Sequence, residues 1–406
     1  MAERVTTLAN GLTVAVDPMS TTRSVSVGVW VGVGSRDEPV AMAGVSHFLE
    51  HLLFKGTAEI DAREISRRVD RAGGDINAYT AREHTAYYCR MPARHTLDAI
   101  DLLSEVVLRP ALRPEDVESE RRVILEELAM DDDVPDDVAH RAFHELVFVD
   151  HPLGRDPGGH RESVSTLSAM DIADFHQGQY TGERMVVSVA GAVDPDEVLA
   201  RVEQVFGSAP RGSGPPLRQA PHQMGADLHL RDETEQMHLV LGGRGLPRAH
   251  PDREALDIVN HVLGGGLSSR LFDEIRERRG LVYNVQSGLS AHVDAGSWMV
   301  YAGSHPDRAP EVRALIEAEI ERMAMDGPTE EEVEVAKGYL VGAYELGLED
   351  SGARMSRLGG MLTLLGHVID IDDQIQQWAS VDGDSLQRVS RAVFGGKHLS
   401  VTLGPV

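Results

Sequence analysis

The stretch Gly44-Val45-Ser46-His47-Phe48-Leu49-Glu50-His51-Leu52-Leu53-Phe54 decides how this chain is interpreted. Its apolar residues recur at intervals of three and four, which is the pattern of a helix with one buried face. His47 and His51 are four positions apart, so they lie one turn apart on the same face, with Glu50 beside them. Two imidazoles at this spacing can bind one divalent metal ion, and an adjacent carboxylate can accept a proton from water. We therefore predict a metal site on this helix.

Length, charge and cysteine content restrict the function classes. The 406 residues exceed one ordinary domain. The net charge of −26 argues against nucleic acid as a partner and favours basic peptides, although acidity can equally serve solubility alone. Cys89 is the one cysteine, so no internal disulfide can form. The sequence contains neither a bilayer-spanning apolar run nor an apolar signal core, so we expect a cytoplasmic protein with no membrane partner.

The chain repeats one pattern of strands and helices on either side of a linker rich in Pro and Gly at 208–223. We therefore predict an α+β fold of two tandem repeats, 1–207 and 224–406, each a mostly antiparallel sheet packed with helices. The helix at 253–263 matches the motif helix but has no paired metal ligand, so the metal site belongs to the first repeat. The strands that we predict lie at 24–33, 75–80 and 85–91 in the first repeat and at 236–242, 281–285 and 297–301 in the second.

A helix predicted at 115–128 supplies candidates for a third metal ligand, because catalytic zinc takes three protein ligands and a water. Most carboxylates on such an acidic helix form a solvated face. Glu120 and Glu127 are seven positions apart and share a face, so one can bind the metal while the other hydrogen-bonds a ligand imidazole. The spacing alone leaves Glu126 and Glu127 open as the ligand.

Several short motifs accompany the two histidines: His47-Phe-Leu-Glu-His51, Phe54-Lys-Gly-Thr57, Asn77-Ala-Tyr-Thr80, Glu120-Arg-x-Val-Ile-Leu-Glu-Glu127 and Val189-Ala-Gly191. Together they resemble the pitrilysin/insulinase superfamily of zinc metallopeptidases, the inverzincins, and the length is similar to that of half-length subunits in its processing-peptidase branch. The resemblance implies Glu127 as third ligand, since the family's third ligand follows the second histidine by 76 positions. It also implies one zinc ion per chain, Glu50 as general base, and Glu120 as the acidic residue that supports a ligand histidine.

The resemblance extends to residues that contact substrate. Arg276 and Tyr283 have the seven-residue spacing of an Arg and a Tyr that, in the family, bind the substrate backbone and stabilise the tetrahedral intermediate. The alternative is a surface arginine and a tyrosine that merely packs in a strand. Asn77 and Ala78 resemble the family's substrate-docking edge strand, whose free N–H and C=O groups pair with an extended peptide. The alternative there is an ordinary strand.

The implied activity is a zinc-dependent endopeptidase that hydrolyses unfolded oligopeptides, with a preference for basic ones. Family enzymes enclose substrate in a chamber of four such repeats. Since this chain has two repeats, we expect a homodimer in which Arg276 and Tyr283 reach each zinc from the other copy. One alternative is an inactive partner subunit of a heterodimeric peptidase, but those usually lose the ligands or Glu50. A non-peptidase metal hydrolase is another alternative, and it would not need the edge strand or the Arg/Tyr pair.

Overall fold

A computed structural model describes residues 3–405. It confirms the predicted α+β fold, with one sheet in each of two tandem repeats. None of the helices formed by the described residues combines the length and apolar character needed to span a bilayer. The strands in chain order are β1 Arg4–Thr7, β2 Thr13–Pro18, β3 Ser24–Val31, β4 Asp75–Thr80, β5 Thr85–Pro92, β6 Met185–Gly191, β7 Leu228–Arg231, β8 Met237–Gly245, β9 Val282–Ala291, β10 Gly296–Ser304 and β11 His398–Gly404.

The α-helices cover the sheets and differ in length from two turns to five. The π-helical turns of the described chain lie at His261–Gly265, Phe272–Glu277 and Ser390–Phe394. The α-helices in chain order are α1 Val45–Leu53, α2 Ala62–Ala72, α3 Thr96–Leu108, α4 Pro114–Asp132, α5 Pro135–Val147, α6 Arg161–Thr166, α7 Ala169–Gln179, α8 Pro195–Phe206, α9 Arg253–Asn260, α10 Ala309–Asp326, α11 Glu330–Gly347, α12 Ser351–Leu365, α13 Ile371–Ser380 and α14 Gly383–Val389.

Packing divides the described chain into two compact units that do not coincide with its consecutive halves. Unit 1 contains the described residues up to Ala129, together with Arg155–Arg218 and Glu345–Val368. Unit 2 contains Met130–Gly154, Gln219–Tyr344 and the described residues from Ile369 onward. Each half of the chain therefore contributes one helical segment to the unit built mainly from the other half, which the linear boundaries of the repeats do not reveal.

The sheet of unit 1 places one of its two edge strands next to the motif helix. Its order is β1-β2-β6-β3-β5-β4, with β2 and β6 parallel and the other neighbours antiparallel. The central strand β6 is buried along its whole length, so its Val-rich run has no alternation. The edge strand β4 begins after Gly73, whose φ of 71° ends α2 in the left-handed region. This edge leaves one side of β4 without a neighbouring strand of the sheet.

Helix α1 is anchored by its apolar face. Phe48, Leu49, Leu52 and Leu53 are almost completely buried in the core of unit 1. That core also takes in the inner face of the sheet and the buried faces of α3, α7 and α8. The opposite side of α1 is half-buried and carries the two histidines and the glutamate of the motif. The apolar periodicity thus fixes which way the polar motif points.

Unit 2 repeats this layout without the motif. Its sheet has the order β7-β11-β8-β10-β9, with β7 and β11 parallel and the other neighbours antiparallel. Buried residues of α9 and α10 pack on one face of this sheet, around Trp298 of β10. Helix α5 covers the other face through Phe143 and Val147, next to Val240 and Val401. Strand β9 is longer than predicted, because the polar residues after Val285 remain paired with β10.

Helix α12 has the corresponding position in unit 1. Its Met355 is 2% exposed and packs in a cluster with Trp30, Val186 and Ala190 on the outer face of the sheet. Gly359 is required there because a Cβ at this position would overlap the Trp30 indole. The central strands of the first sheet are therefore buried on both faces, although the sequence between β1 and α8 supplies helices for only one of them.

We expect Met355→Ala to lower the free energy of unfolding by about 2–5 kcal/mol, the usual cost of a cavity at a buried Met. Met170→Ala is the matched control, because Met170 is 70% exposed on α7 and its loss should change stability by less than about 0.5 kcal/mol. Urea unfolding followed by circular dichroism measures both. Equal effects of the two substitutions would contradict the packing of α12 on this sheet.

Candidate metal centre

The structure brings three of the predicted ligands together on one side of α1. His51 Nε2 lies 3.3 Å from His47 Nε2 and 3.4 Å from Glu127 Oε2, while His47 Nε2 lies 4.0 Å from the same oxygen. Among the described residues, this is the one group of three or more His, Cys, Asp or Glu side chains whose donor atoms converge in this way. Glu126, the alternative that the spacing left open, is exposed on α4.

The donor set fits zinc in chemistry and in spacing. Two imidazole nitrogens and one carboxylate oxygen are a common zinc ligand set, and three protein ligands leave a fourth position open. Ligands about 2.1 Å from a tetrahedral ion lie roughly 3.4 Å from one another. Two of the three measured separations match this spacing, and the third needs only a small rotation of Glu127, which is 43% exposed. His47, His51 and Glu127 can therefore hold zinc without rearrangement of the backbone.

Glu120 lies behind His51, in contact with the ring nitrogen that does not face Glu127. Its Oε2 is 3.2 Å from His51 Nδ1 and its Oε1 is 2.5 Å from Lys55 Nζ. When Nδ1 carries the proton and donates to Glu120, the Nε2 lone pair is free to face a metal ion. Glu120 is almost fully buried, so the Lys55 ammonium compensates a carboxylate that has little access to water. Lys55 lies in the turn directly after α1, only four residues from His51, so this chain of contacts is local.

Glu50 is held by the edge strand. The Thr80 hydroxyl donates a hydrogen bond of 2.6 Å to Glu50 Oε2. The pKa of Glu50 is raised, because the effect of burial exceeds the opposing effects of the Thr80 hydrogen bond and the nearby His51. Thr80 leaves the other carboxylate oxygen of Glu50 to interact with a proton donor. The pair connects the last residue of β4 directly to the polar side of α1.

The start of α1 depends on a residue that the sequence patterns do not identify. Glu38 Oε2 accepts from the Gly44 amide and Oε1 accepts from the Ser46 amide, both at 2.8 Å. This carboxylate, which lies outside the helix, caps the first turn of α1. Burial raises the pKa of Glu38, and its two backbone hydrogen bonds oppose that shift. Gly44 has a φ of 92°, and a Cβ there would meet the backbone of Gly158.

Asn77 and Ala78 lie in the middle of the edge strand β4. Ala78 is buried on the face of the sheet that packs on α1, whereas Asn77 is exposed on the opposite face. The Ala78 amide donates to the Asn77 side-chain oxygen at 2.8 Å. This bond occupies the Ala78 amide, which a docked peptide would otherwise use as a hydrogen-bond donor. The role of both residues in binding peptide remains a prediction.

Arg276 and Tyr283 belong to unit 2 and contact each other. Arg276 lies in the π-helical turn Phe272–Glu277, and its guanidinium stands 4.7 Å from the Phe272 ring centre and 5.4 Å from that of Tyr283. Tyr283 is 82% exposed near the start of β9, so its ring does not pack in the sheet as the ordinary alternative requires. The stacked pair presents a cation and a phenol to solvent, which suits binding of a polar ligand. Their role in binding substrate remains a prediction.

Sequence reasoning missed three residues that act on the motif: Glu38, Lys55 and Thr80. Strand alternation could have found Thr80, because it shares the inward face of β4 with Ala78. Proximity along the chain could have found Lys55, which lies in the turn directly after α1. Glu38 has no local signal, since its contact with α1 crosses an irregular turn.

Two family models match this chain in consecutive parts. The model described as "Insulinase (Peptidase family M16)" matches residues 13–158, which include all of the candidate metal centre. The model described as "Peptidase M16 inactive domain" matches residues 166–340, which include Arg276 and Tyr283. The second match begins before the linker, so its bounds do not coincide with those of the second repeat.

Other proteins align with this chain over nearly its whole length. A protein of Mycobacterium leprae named as an uncharacterized zinc protease is 44% identical over 411 residues, which are 98% of this chain and 91% of the relative. The uncharacterized zinc protease YmxG of Bacillus subtilis is 34% identical over 399 residues, which are 98% of this chain and 97% of that protein. The similarity thus includes both repeats and the linker.

Solved structures show the same fold over the whole length. The crystal structure of a peptidase M16 inactive domain from Pseudomonas fluorescens has a TM-score of 0.94 at 21% identity and covers 100% of this chain and 98% of its own. A protease from Helicobacter pylori has a TM-score of 0.91 at 26% identity, with 99% of both chains covered. The fold is therefore shared with these structures over the full chain.

Proposed function

Because this chain belongs to the insulinase or M16 peptidase family, we propose that it is a zinc-dependent endopeptidase acting on unfolded oligopeptides. The observation that carries the proposal is the convergence of His47, His51 and Glu127 beside Glu50 and the edge strand. The second repeat has no such group among its described residues, which agrees with its match to a domain described as inactive. The presence of one such ligand set among the described residues supports one zinc ion per chain.

In this proposal His47, His51 and Glu127 hold the metal. Zinc would supply Lewis acidity, which acidifies water and polarises the scissile carbonyl. Glu50 accepts the proton of the attacking water and then delivers it to the leaving amine. Thr80 orients the Glu50 carboxylate through its 2.6 Å hydrogen bond, which leaves one oxygen free for the proton. Glu120 orients the His51 imidazole by accepting a hydrogen bond from its Nδ1.

The edge strand β4 supplies the binding surface. An extended peptide can add to this edge as a further strand, with main-chain hydrogen bonds near Asn77 and Ala78. Because only main-chain groups pair, this mode accepts many sequences but requires an unfolded segment. The net charge of −26 favours basic peptides at the level of electrostatic steering.

We further propose that two copies of the chain form the working enzyme. Arg276 and Tyr283 of each copy would serve the metal site of the other, where the guanidinium and phenol would bind the substrate backbone and a developing oxyanion. The exposed, stacked arrangement of this pair supports a role in binding. A symmetric dimer would supply two identical sites.

Two observations oppose the alternative of an inactive scaffold subunit. The chain retains the complete ligand set and Glu50, and it retains the contacts of Glu120 and Thr80 that orient them. A scaffold subunit would have no need to keep this buried support for a ligand histidine. Hydrolysis of an unstructured peptide by the purified chain alone, sensitive to a chelator, tests the proposed function directly.

We expect Glu120→Gln to weaken zinc binding by about 10- to 100-fold, because loss of the carboxylate removes the partner of both His51 and Lys55. Glu126→Gln is the control on the same helix, since Glu126 is exposed, and its zinc affinity should match that of the wild type. Competition with a chromophoric chelator measures the affinity of each protein. Equal zinc affinity in the wild type and Glu120→Gln would show that Glu120 does not support the ligand.

A further inference from the structure

A short turn before α1 connects both elements of the candidate site. The turn Gly34–Glu38, called here the 34–38 turn, follows β3 and pairs with the loop at the tip of the β4–β5 hairpin. The Ser35 amide donates to the Ala81 carbonyl at 3.2 Å, and the Arg36 amide donates to the Arg82 carbonyl at 2.8 Å. The far end of the turn is Glu38, which caps α1. One segment therefore positions the edge strand and the motif helix together.

The linker supplies the residue that closes this turn. Arg218 forms a bidentate pair with Asp37, with Nε–Oδ1 and Nη2–Oδ2 distances of 2.9 and 2.8 Å. Its Nη2 also donates to the Glu83 carbonyl at 2.7 Å and to the Gly32 carbonyl at 3.3 Å. A single guanidinium thus joins Gly32 just before the turn, Asp37 within the turn, and the hairpin loop. All of these residues belong to unit 1. The part of the linker that belongs to this unit ends at Arg218.

The charges of this cluster are removed from water. The Arg36 and Glu83 side chains are 2% and 3% exposed and pair at 2.7 Å, and Asp37 is equally buried. Arg218 itself is 13% exposed. Removal of one member of such a cluster leaves a buried charge without compensation, which is strongly destabilising at that place. Lysine cannot replace the planar fork that reaches Asp37 and two carbonyls at once.

We propose that Arg218 is a positioning residue for the peptide-binding edge: it holds the 34–38 turn against the β4–β5 hairpin and so fixes β4 relative to α1. The proposal rests on the proposed function only in assigning peptide binding to β4. Its structural content, that one linker side chain sets the local stability of both elements, stands on the contacts alone. The linker predicted from its Pro and Gly content is in this respect part of the site.

Hydrogen–deuterium exchange of Arg218→Lys tests the structural content. We expect amides in segments 34–46 and 75–84 to exchange at least about 10-fold faster than in the wild type, while those of the central strand β6 keep their rates. Asp37→Asn, which removes the bidentate acceptor and leaves Arg218 in place, should give the same regional pattern. Arg211→Lys is the matched control, because Arg211 is an exposed linker arginine that pairs with Glu183 outside this cluster. Uniformly faster exchange, or no change in these two segments, would overturn the proposal.

Peptide affinity tests the functional content. In the Glu50→Gln background, fluorescence anisotropy of a fluorescein-labelled, unstructured Lys- and Arg-rich peptide should show about 10-fold weaker binding after Arg218→Lys and unchanged binding after Arg211→Lys. Unchanged affinity together with faster exchange would overturn the positioning role in binding. If the Glu50→Gln protein with intact Arg218 bound no peptide at all, the proposed function would fail, and the exchange pattern alone would decide whether Arg218 fixes β4.

Discussion

Glu50→Gln is expected to lower kcat for peptide hydrolysis by about 10²- to 10⁴-fold, the range that a general base contributes. The amide has nearly the shape of the carboxylate and can still accept the 2.6 Å hydrogen bond from Thr80. It cannot take a proton from water at neutral pH. Because Glu50 is not among the three converging donors, the zinc content should remain that of the wild type. Steady-state kinetics and metal analysis of the same preparation measure both quantities.

Two variants make this result specific. Glu126→Gln makes the same chemical change at an exposed acid near the metal ligands and should leave kcat unchanged. Thr80→Val should lower kcat less than Glu50→Gln does, because it frees the carboxylate from its orienting partner without removing the base. If Glu50→Gln retained wild-type turnover with zinc bound, another group would have to be the base and the mechanism would be wrong.

Mixing two inactive variants should restore activity. Glu50→Gln removes the base and Arg276→Ala removes the proposed substrate cation, so each homodimer should be nearly inactive. When equal amounts exchange subunits, half of the dimers are mixed, and one of the two sites in each mixed dimer combines an intact Glu50 with an intact Arg276. About one quarter of the wild-type activity is therefore expected if the residues act across the dimer.

The same experiment has a clear opposite outcome. If Arg276 serves the metal site of its own chain, every site in the mixture carries one of the two substitutions, and activity stays at the level of the separate variants. Subunit exchange has to be verified with differently tagged chains, because a dimer that does not exchange would mimic that result. Sedimentation of an active wild-type monomer would also contradict action across a dimer.

Helix α1 was predictable because its apolar pattern and its histidine motif are local sequence signals. The periodicity of Phe48 and Leu49 specifies the buried face, and a buried face fixes the direction of His47, Glu50 and His51. Glu127 was different: spacing within α4 narrowed the choice to two neighbours, and only the family resemblance selected the one whose oxygen now lies near both imidazoles.

Helix α12 was not predictable from its own sequence. Three glycines within Ser351–Leu365 reduce its intrinsic helix propensity, and its pattern does not mark a buried stripe. The helix gains its stability from packing on a sheet more than 150 positions earlier in the chain, where Gly359 allows the Trp30 indole to approach. Such a non-local contact leaves no periodic trace.

The 34–38 turn likewise depends on non-local contacts that the sequence does not reveal. Glu38 and Arg218 act through single long-range contacts, and neither stands in a recognisable motif. The composition of 208–223 indicated a linker, and the structure has neither helix nor strand in these residues. It did not indicate that the segment packs on unit 1, where the Gly182 amide donates to the Pro210 carbonyl at 2.7 Å. Composition indicates which backbone conformations a segment favours. The position of this segment on unit 1 depends on the contacts of Arg218.

The measurement that tests the central claim most directly is hydrolysis of one unstructured peptide by the purified wild-type chain before chelation, after chelation, and after return of one equivalent of zinc. We predict cleavage at internal peptide bonds, its loss when the metal is removed, and its recovery with zinc in the wild type but not in His51→Ala, which lacks a ligand. Cleavage that persists in the chelated protein, or a zinc-loaded protein that cleaves no peptide, would contradict the assignment of this chain as a zinc endopeptidase.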